Sequence, residues 1–196
     1  MNHYLLRRVK MPEPWPIITS RLGPTFRIFS LRIDVARAPH TGKEHEFCII
    51  DSPDWVNIIP ITTDHKVVMV KQFRHGIKAV TLEIPGGMIE FGDSPRESAE
   101  RELLEETGYQ AEELILLGEV HPNPAFLTNR CYTFLANNVQ KINEKKKLDE
   151  TEDIEVELVS LKKIPELIRE GRISNSLVVT AFWWFFSDKI DFSKFI

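Results

Sequence analysis

Cysteine is scarce in this chain of 196 residues: Cys48 and Cys131 are the only two, and no Cys-x-x-Cys pair occurs. A disulfide framework and a thiolate zinc site are thereby excluded. Both cysteines stand in strand-like apolar runs, which predicts two reduced core residues. The six histidines show no His-Glu-x-x-His or other paired ligand spacing, so His65, His75 and His121 read as surface or packing residues. Long apolar runs are also missing. The longest, Leu177 to Phe186, spans ten residues and contains Thr180, about half of what a membrane crossing needs, and it reads as a buried helix. The start, MNHYLLRRVKMPEPWP, lacks the apolar core of a secretory signal. An excess of positive charge is absent too. Twenty-five Lys and Arg face 29 Asp and Glu, a net charge of -4, which argues against a general nucleic-acid surface. The expectation is a cytoplasmic chain with no nucleic-acid and no membrane partner. Its 42% hydrophobic content suits one domain with an appendage.

Several elements are legible in order. A Pro-rich start gives way to a strand-like stretch from Arg27 to Ala36 and a hairpin signal over Pro39 to Glu44. Strand-like runs follow at Glu46 to Ile50, Val56 to Thr62 and Lys66 to Phe73, separated by the Ser-Pro-Asp and Thr-Asp-His-Lys turns. Later apolar runs occupy Leu114 to Val120, Cys131 to Ala136 and Ile154 to Leu161. Two helices are predicted to close the chain. One covers Ile164 to Glu170 and stops at Gly171; the other starts near Asn175 and carries the packing cluster Phe182, Trp183, Trp184, Phe185 and Phe186.

Between Gly86 and Tyr109 the chain reads GGMIEFGDSPRESAERELLEETGY. Ser94, Pro95 and Glu97 form a helix start signal, a hydroxyl N-cap with proline at the first helical position and a reciprocal glutamate. Gly108 suits the left-handed position after the last turn. The predicted helix therefore covers Pro95 to Thr107, with Ala99 and Leu103 facing a core. At about 100° per residue, Glu102, Glu105 and Glu106 share an exposed arc roughly 100° wide, and like charges at that spacing destabilise a helix. A hard divalent cation converts such repulsion into coordination, because it takes oxygen ligands from carboxylates and substrate phosphates. Gly86, Gly87 and Gly92 allow close approach of the backbone ahead of the helix.

This stretch resembles the box of the Nudix hydrolase family, G-x5-E-x7-R-E-U-x-E-E-x-G-U with U bulky and apolar. Gly87, Arg101, Glu102, Leu103, Glu105, Glu106 and Gly108 match in register. Asp93 stands where the pattern has Glu, and Tyr109 where it has an aliphatic residue. The resemblance implies an α/β/α sandwich around a mixed β-sheet. Residues 1–55 would be an N-terminal antiparallel β portion serving dimerisation and the substrate site, and 56–196 the hydrolase domain. It also implies two or three Mg2+ ions, replaceable by Mn2+, on Glu102, Glu105, Glu106 and the Gly86 carbonyl, with Arg101 orienting the carboxylates.

Within the family the chain is most similar to ADP-ribose pyrophosphatases, which carry a proline sixteen residues past the last box glycine. Here that is Pro124, in HPNPAFLTNRCYTFLA. Arg74, in Lys-Gln-Phe-Arg-His-Gly, matches the signature whose arginine contacts substrate phosphate in relatives. DETEDIEVELVS resembles the acidic loop that carries the catalytic base, which implies Glu150 for that role with Glu152 beside it. The implied partners are a nucleotide-sugar substrate and a second copy of the chain. GDP-mannose, another nucleoside diphosphate sugar or a dinucleotide remain as alternative substrates, and a non-catalytic nucleotide sensor as an alternative class. No aromatic residue is assigned to the nucleobase.

Overall fold

Period-two alternation of apolar residues sorts the centre of the chain onto two faces of one sheet. The computed structural model describes residues 12–142 and 153–187. Glu150 and Glu152, expected to supply the base, lie outside the described residues. Backbone contacts divide the chain into two units, Met1–Ser52 with Ala125–Leu127, and Pro53–Pro124 with Thr128–Ile196.

The first unit is a three-stranded antiparallel sheet in the order β1 (Ile17–Thr25), β2 (Ser30–Arg37), β3 (Glu44–Asp51). Side chains tie the three strands together. Arg32 on β2 reaches both carboxylate oxygens of Asp51 on β3 at 2.8 Å and Asp34 at 3.0 Å, while the Ser20 hydroxyl on β1 donates to the same Asp34. That hydroxyl, aided by Arg32, holds the Asp34 carboxyl below its ordinary range against the opposing effect of burial. Ala125–Leu127 joins this unit through the Ile50 N–H, which donates to the Phe126 carbonyl at 2.8 Å. β1 was not expected, because its Pro-rich approach and Gly23-Pro24 conceal the strand signal and nearly all of it is exposed. Cys48 is a correction as well: it lies exposed on β3 instead of in a core, whereas Cys131 is buried.

The second unit contains β4 (Trp55–Ile61), β5 (Lys66–Arg74), β6 (Ala79–Glu83), β7 (Gly86–Met88), α1 (Pro95–Thr107), β8 (Tyr109–Gln110), β9 (Leu114–Val120), β10 (Cys131–Asn137), β11 (Gln140–Lys141), β12 (Ile154–Ser160), α2 (Ile164–Arg169) and α3 (Ser176–Ser187). Its main sheet runs β12-β5-β4-β10-β9, with β6 on β5 and β7 on β4. β4 and β10 are parallel and the other pairs antiparallel. Ile59, Ile61, Val67 and Met69 pack one face against Ile164, Leu167, Val178 and Phe182 of α2 and α3. Val56, Ile58 and Val68 pack the other against Ala99 and Leu103 of α1. This is the expected α/β/α arrangement around a mixed sheet.

The aromatic run on α3 does not pack uniformly. Phe182 and Phe185 are buried, but Trp183 points outward with 57% of its surface exposed, since the 3.6-residue period cannot bury five consecutive side chains. Trp184 is seated instead on Gly118 of β9, where an added Cβ would stand 2.7 Å from the indole ring. Gly118→Ala should therefore lower stability by about 1–3 kcal/mol, as an added carbon forced against a packed ring does. Thermal denaturation checks this, and an unchanged Tm would mean that α3 shifts on the sheet without resistance.

Candidate active site

The box helix α1 is pinned at both ends. Ser94 Oγ accepts from the Glu97 N–H at 3.3 Å, and the Glu97 carboxylate accepts from the Ser94 N–H at 2.8 Å. At the other end Gly108 takes φ 74° and its N–H donates to the Leu104 carbonyl at 2.8 Å. Three carboxylates therefore leave a rigid support rather than a loop, which favours precise placement.

They meet a strand with no side chains in the way. β7 pairs with β4, placing Gly86 opposite Asn57 and Gly87 opposite Val56. A Cβ on Gly86 would stand 2.3 Å from the Val56 carbonyl oxygen, and a Cβ on Gly87 would stand 2.4 Å from Glu102 Oε1. The Gly86 N–H donates to Glu106 Oε2 at 2.9 Å. Glu106 is 3% exposed and the Glu102 side chain 12%, so these two are not on the exposed face expected from spacing but lie against β7, while the Glu105 side chain stays 35% exposed. Arg101 joins the acids. Its Nη1 donates to Glu102 Oε1 at 3.0 Å and Glu105 Oε2 at 3.4 Å and lies 3.4 Å from Glu90 Oε1, while Nη2 donates to the Met88 carbonyl at 3.4 Å. Burial pulls the guanidinium pKa down, but Glu102, Glu90 and Glu105 pull it further up, so the cation persists.

The set fits a hard divalent cation in its chemistry: carboxylate oxygens beside a glycine backbone, with no room for a side chain between them. Among the described residues no three Asp, Glu, His or Cys side chains yet converge as closely as bound ligands do. The Arg101 guanidinium stands among the oxygens that would have to converge.

A cavity of about 330 Å³ opens beside the same glycines, bordered by Trp55, Asn57, Arg74, Glu83, Gly86 and Asn175 among others. Arg74 grips Glu83 through two parallel bonds, Nε to Oε1 at 3.0 Å and Nη2 to Oε2 at 2.8 Å. Thr81 Oγ1 and Asn175 Nδ2 donate to the same carboxylate at 2.6 and 2.8 Å. Burial pushes the Glu83 carboxyl up, yet these donors, Arg74 first, bring its net pKa below the ordinary value. Asn57 Nδ2 donates to the Leu177 carbonyl at 3.4 Å. Sequence reasoning missed Glu83, Asn57 and Asn175. A polar residue inside the apolar run WVNIIPI, and a glutamate closing a strand ahead of Pro85, were the available signals. Of the expected residues, Gly86, Arg101, Glu102, Glu105 and Glu106 come together, and Arg74 lines the adjoining cavity. Pro124 stands exposed on the β9–β10 loop and does not border that cavity.

A Nudix domain is matched over residues 52–180, and the chain belongs to the Nudix family. It is a Nudix hydrolase resembling ADP-ribose pyrophosphatases. It is 33% identical to the ADP-ribose pyrophosphatase of Bacillus subtilis over 147 residues, 75% of this chain and 79% of that one. It is 34% identical to the methanol dehydrogenase activator of Bacillus methanolicus over 155 residues, 79% of this chain and 83% of that one. The crystal structure of an ADP compounds hydrolase superposes with a TM-score of 0.79 at 21% identity, covering 90% of this chain and 94% of that one, which shows a shared fold. Members of the family are generally metal-dependent.

The Glu83 cluster makes stability depend on acid in a defined direction. A carboxyl whose pKa is depressed in the folded state stabilises fully above its unfolded pKa, near 4.5, and that contribution is lost as pH falls through the lower folded value. Glu83→Gln should cost about 1–3 kcal/mol near neutral pH, the effect of weakening a buried charged hydrogen-bond set, and should flatten the acid limb of the stability profile. Denaturant titrations from pH 7 to pH 3 test this; parallel profiles for variant and wild type would rule it out.

Proposed function

We propose that the chain hydrolyses the diphosphate bond of a nucleoside diphosphate sugar, ADP-ribose foremost, giving AMP and ribose 5-phosphate. The observation that carries the reading is that Gly86 and Gly87 border both the carboxylate cluster of α1 and the cavity containing Arg74. A diphosphate lying there meets acids on one side and a guanidinium on the other. Glu102, Glu105, Glu106 and the Gly86 carbonyl are the ligands for Mg2+, or Mn2+ in its place. Bound there, the metal supplies charge neutralisation at the diphosphate and lowers the pKa of a water. Arg101 aims Glu102 and Glu105, and the Gly86 N–H aims Glu106. Glu83 holds Arg74 in the planar geometry that suits a phosphate oxygen pair. Glu150, with Glu152 beside it, takes the proton from the water that attacks phosphorus in line with the departing phosphate. Pro124 shapes the loop that meets the substrate.

A second reading is action on GDP-mannose, another nucleoside diphosphate sugar or a dinucleotide. It stays open because a relative with a different name, the methanol dehydrogenase activator, is as similar to this chain as the one named for ADP-ribose, so similarity alone does not fix the substrate. A purely nucleotide-sensing role has less support, since all three box carboxylates after Arg101 are present.

A substrate panel with Mg2+ decides between these readings. The kcat/KM on ADP-ribose should exceed that on GDP-mannose and on dinucleotides, and a reversal of that order would transfer the assignment. Glu102→Gln should remove most turnover, and Glu150→Gln should lower kcat at least about a hundredfold with KM little changed, as for a group acting in the transition state. Near wild-type turnover by the first variant at saturating Mg2+ would falsify the metal assignment.

The chain acts in this reading as a cytoplasmic homodimer, with residues 1–55 as the portion that serves dimerisation and the partner's substrate site and 56–196 as the hydrolase domain. Exposed apolar residues on the first unit support it, including Ile17, Phe26, Ile28 and Leu22, the last 82% exposed, since a second copy packed there would remove such side chains from water. Light scattering at micromolar concentration should give twice the chain mass. A fully active monomer would sink the proposal.

A further inference from the structure

Arg101 is held unevenly. Its two terminal nitrogens are engaged by Glu102, Glu105, Glu90 and the Met88 carbonyl. Its Nε is buried and makes no hydrogen bond among the described residues. Facing that nitrogen is Asp93 Oδ2, at 3.7 Å. A charge-assisted bond needs about 2.7–2.9 Å, so the carboxylate stops roughly 0.8 Å short. The reason is visible in the turn before α1. The same Oδ2 accepts from Ser98 Oγ at 3.1 Å, and Ser98 is fully buried, so the aspartate is anchored to the helix instead of to the arginine.

Asp93 is also the box position at which this chain departs from the glutamate of the Nudix pattern. A glutamate carries one more methylene, enough to close a gap of this size. The difference matters because Arg101 and a divalent cation seek the same oxygens, Glu102 Oε1 and Glu105 Oε2. An arginine bonded at Nε as well as at its tip must break an additional charge-assisted bond before it yields them.

We propose that Asp93 is a positioning residue, tethered by Ser98 one methylene short of Arg101 Nε, which lets the guanidinium give up the Glu102 and Glu105 oxygens to a hard divalent cation. The inference rests on the metal reading above and concerns how readily the cation is taken up. Ser98 acts through Asp93: without its hydroxyl, the carboxylate is free to turn towards Nε.

Direct titration of the full chain with Mn2+ in the absence of substrate, read by calorimetry or by the Mn2+ paramagnetic resonance signal, tests this. Asp93→Glu should weaken Mn2+ binding about tenfold, the lower end for one charge-assisted bond. Its Tm without added metal should match or exceed that of the wild type. Ser98→Ala should shift Mn2+ affinity in the same direction by a smaller factor, and the double variant should bind no more weakly than Asp93→Glu alone within about twofold, because both changes act on one bond. Mn2+ affinity of Asp93→Glu equal to or tighter than wild type overturns the inference and leaves the metal reading standing. So does weakened binding by Asp93→Glu with Ser98→Ala unmoved, since that outcome reflects a local packing defect. A wild-type chain that takes up no Mn2+ overturns the metal reading itself.

Discussion

The contact between a glycine pair on a short strand and the acidic face of a helix is the constraint on which the second unit of this protein depends. β7 is three residues long, too short to be held by its own ladder, and it lies between β4 and α1. Close approach on both sides is possible only because Gly86 clears the Val56 carbonyl and Gly87 clears the Glu102 carboxylate. That approach converts an unfavourable cluster of like charges into an ordered one. Glu106 gains a backbone donor from Gly86, Glu102 is pressed against Gly87, and Arg101 balances the charge. Buried acids of this density are tolerable only when each finds such a partner.

The same logic governs the neighbouring cavity. Glu83 sits at the end of β6, where the strand turns through Pro85 into β7, and is buried with donors from three elements: Arg74 of β5, Thr81 of its own strand and Asn175 at the start of α3. It thus links the sheet to the helix that closes one side of the cavity, and fixes an arginine next to the glycine turn. Two carboxylate centres with opposite roles lie on either side of β7. One is saturated with donors and committed to structure. The other gathers around Arg101 and the Gly86 N–H.

Stability and chemistry are therefore supplied by different layers of the second unit. The core between the sheet and α2–α3 is built from Ile59, Val67, Met69, Ile164 and Phe182. The core beneath α1, with Val56, Ile58, Ala99 and Leu103, supports the helix that carries the functional groups. Because α1 is capped at both ends and packed along Ala99 and Leu103, the backbone that carries its three glutamates has little freedom.

The sequence by itself determined the elements whose signals are local. The capping box at Ser94 and Glu97, the left-handed Gly108 and the apolar runs of the sheet strands are all consequences of preferences expressed within a few residues. It also singled out Glu102, Glu105 and Glu106, whose spacing puts them on one arc, and Arg101 through the resemblance to the Nudix box. Only the tertiary structure decided that β7 lies against Glu102 and Glu106 on this face, that Glu83 and Asn175 share a carboxylate–amide bond across 92 positions of sequence, that Cys48 and Trp183 face outward, and that Asp93 bonds Ser98 while standing 3.7 Å from Arg101 Nε. These are matters of which surfaces meet. Burial and partnership belong to pairs of elements distant in sequence, and a window of a few residues contains no record of what will lie against it.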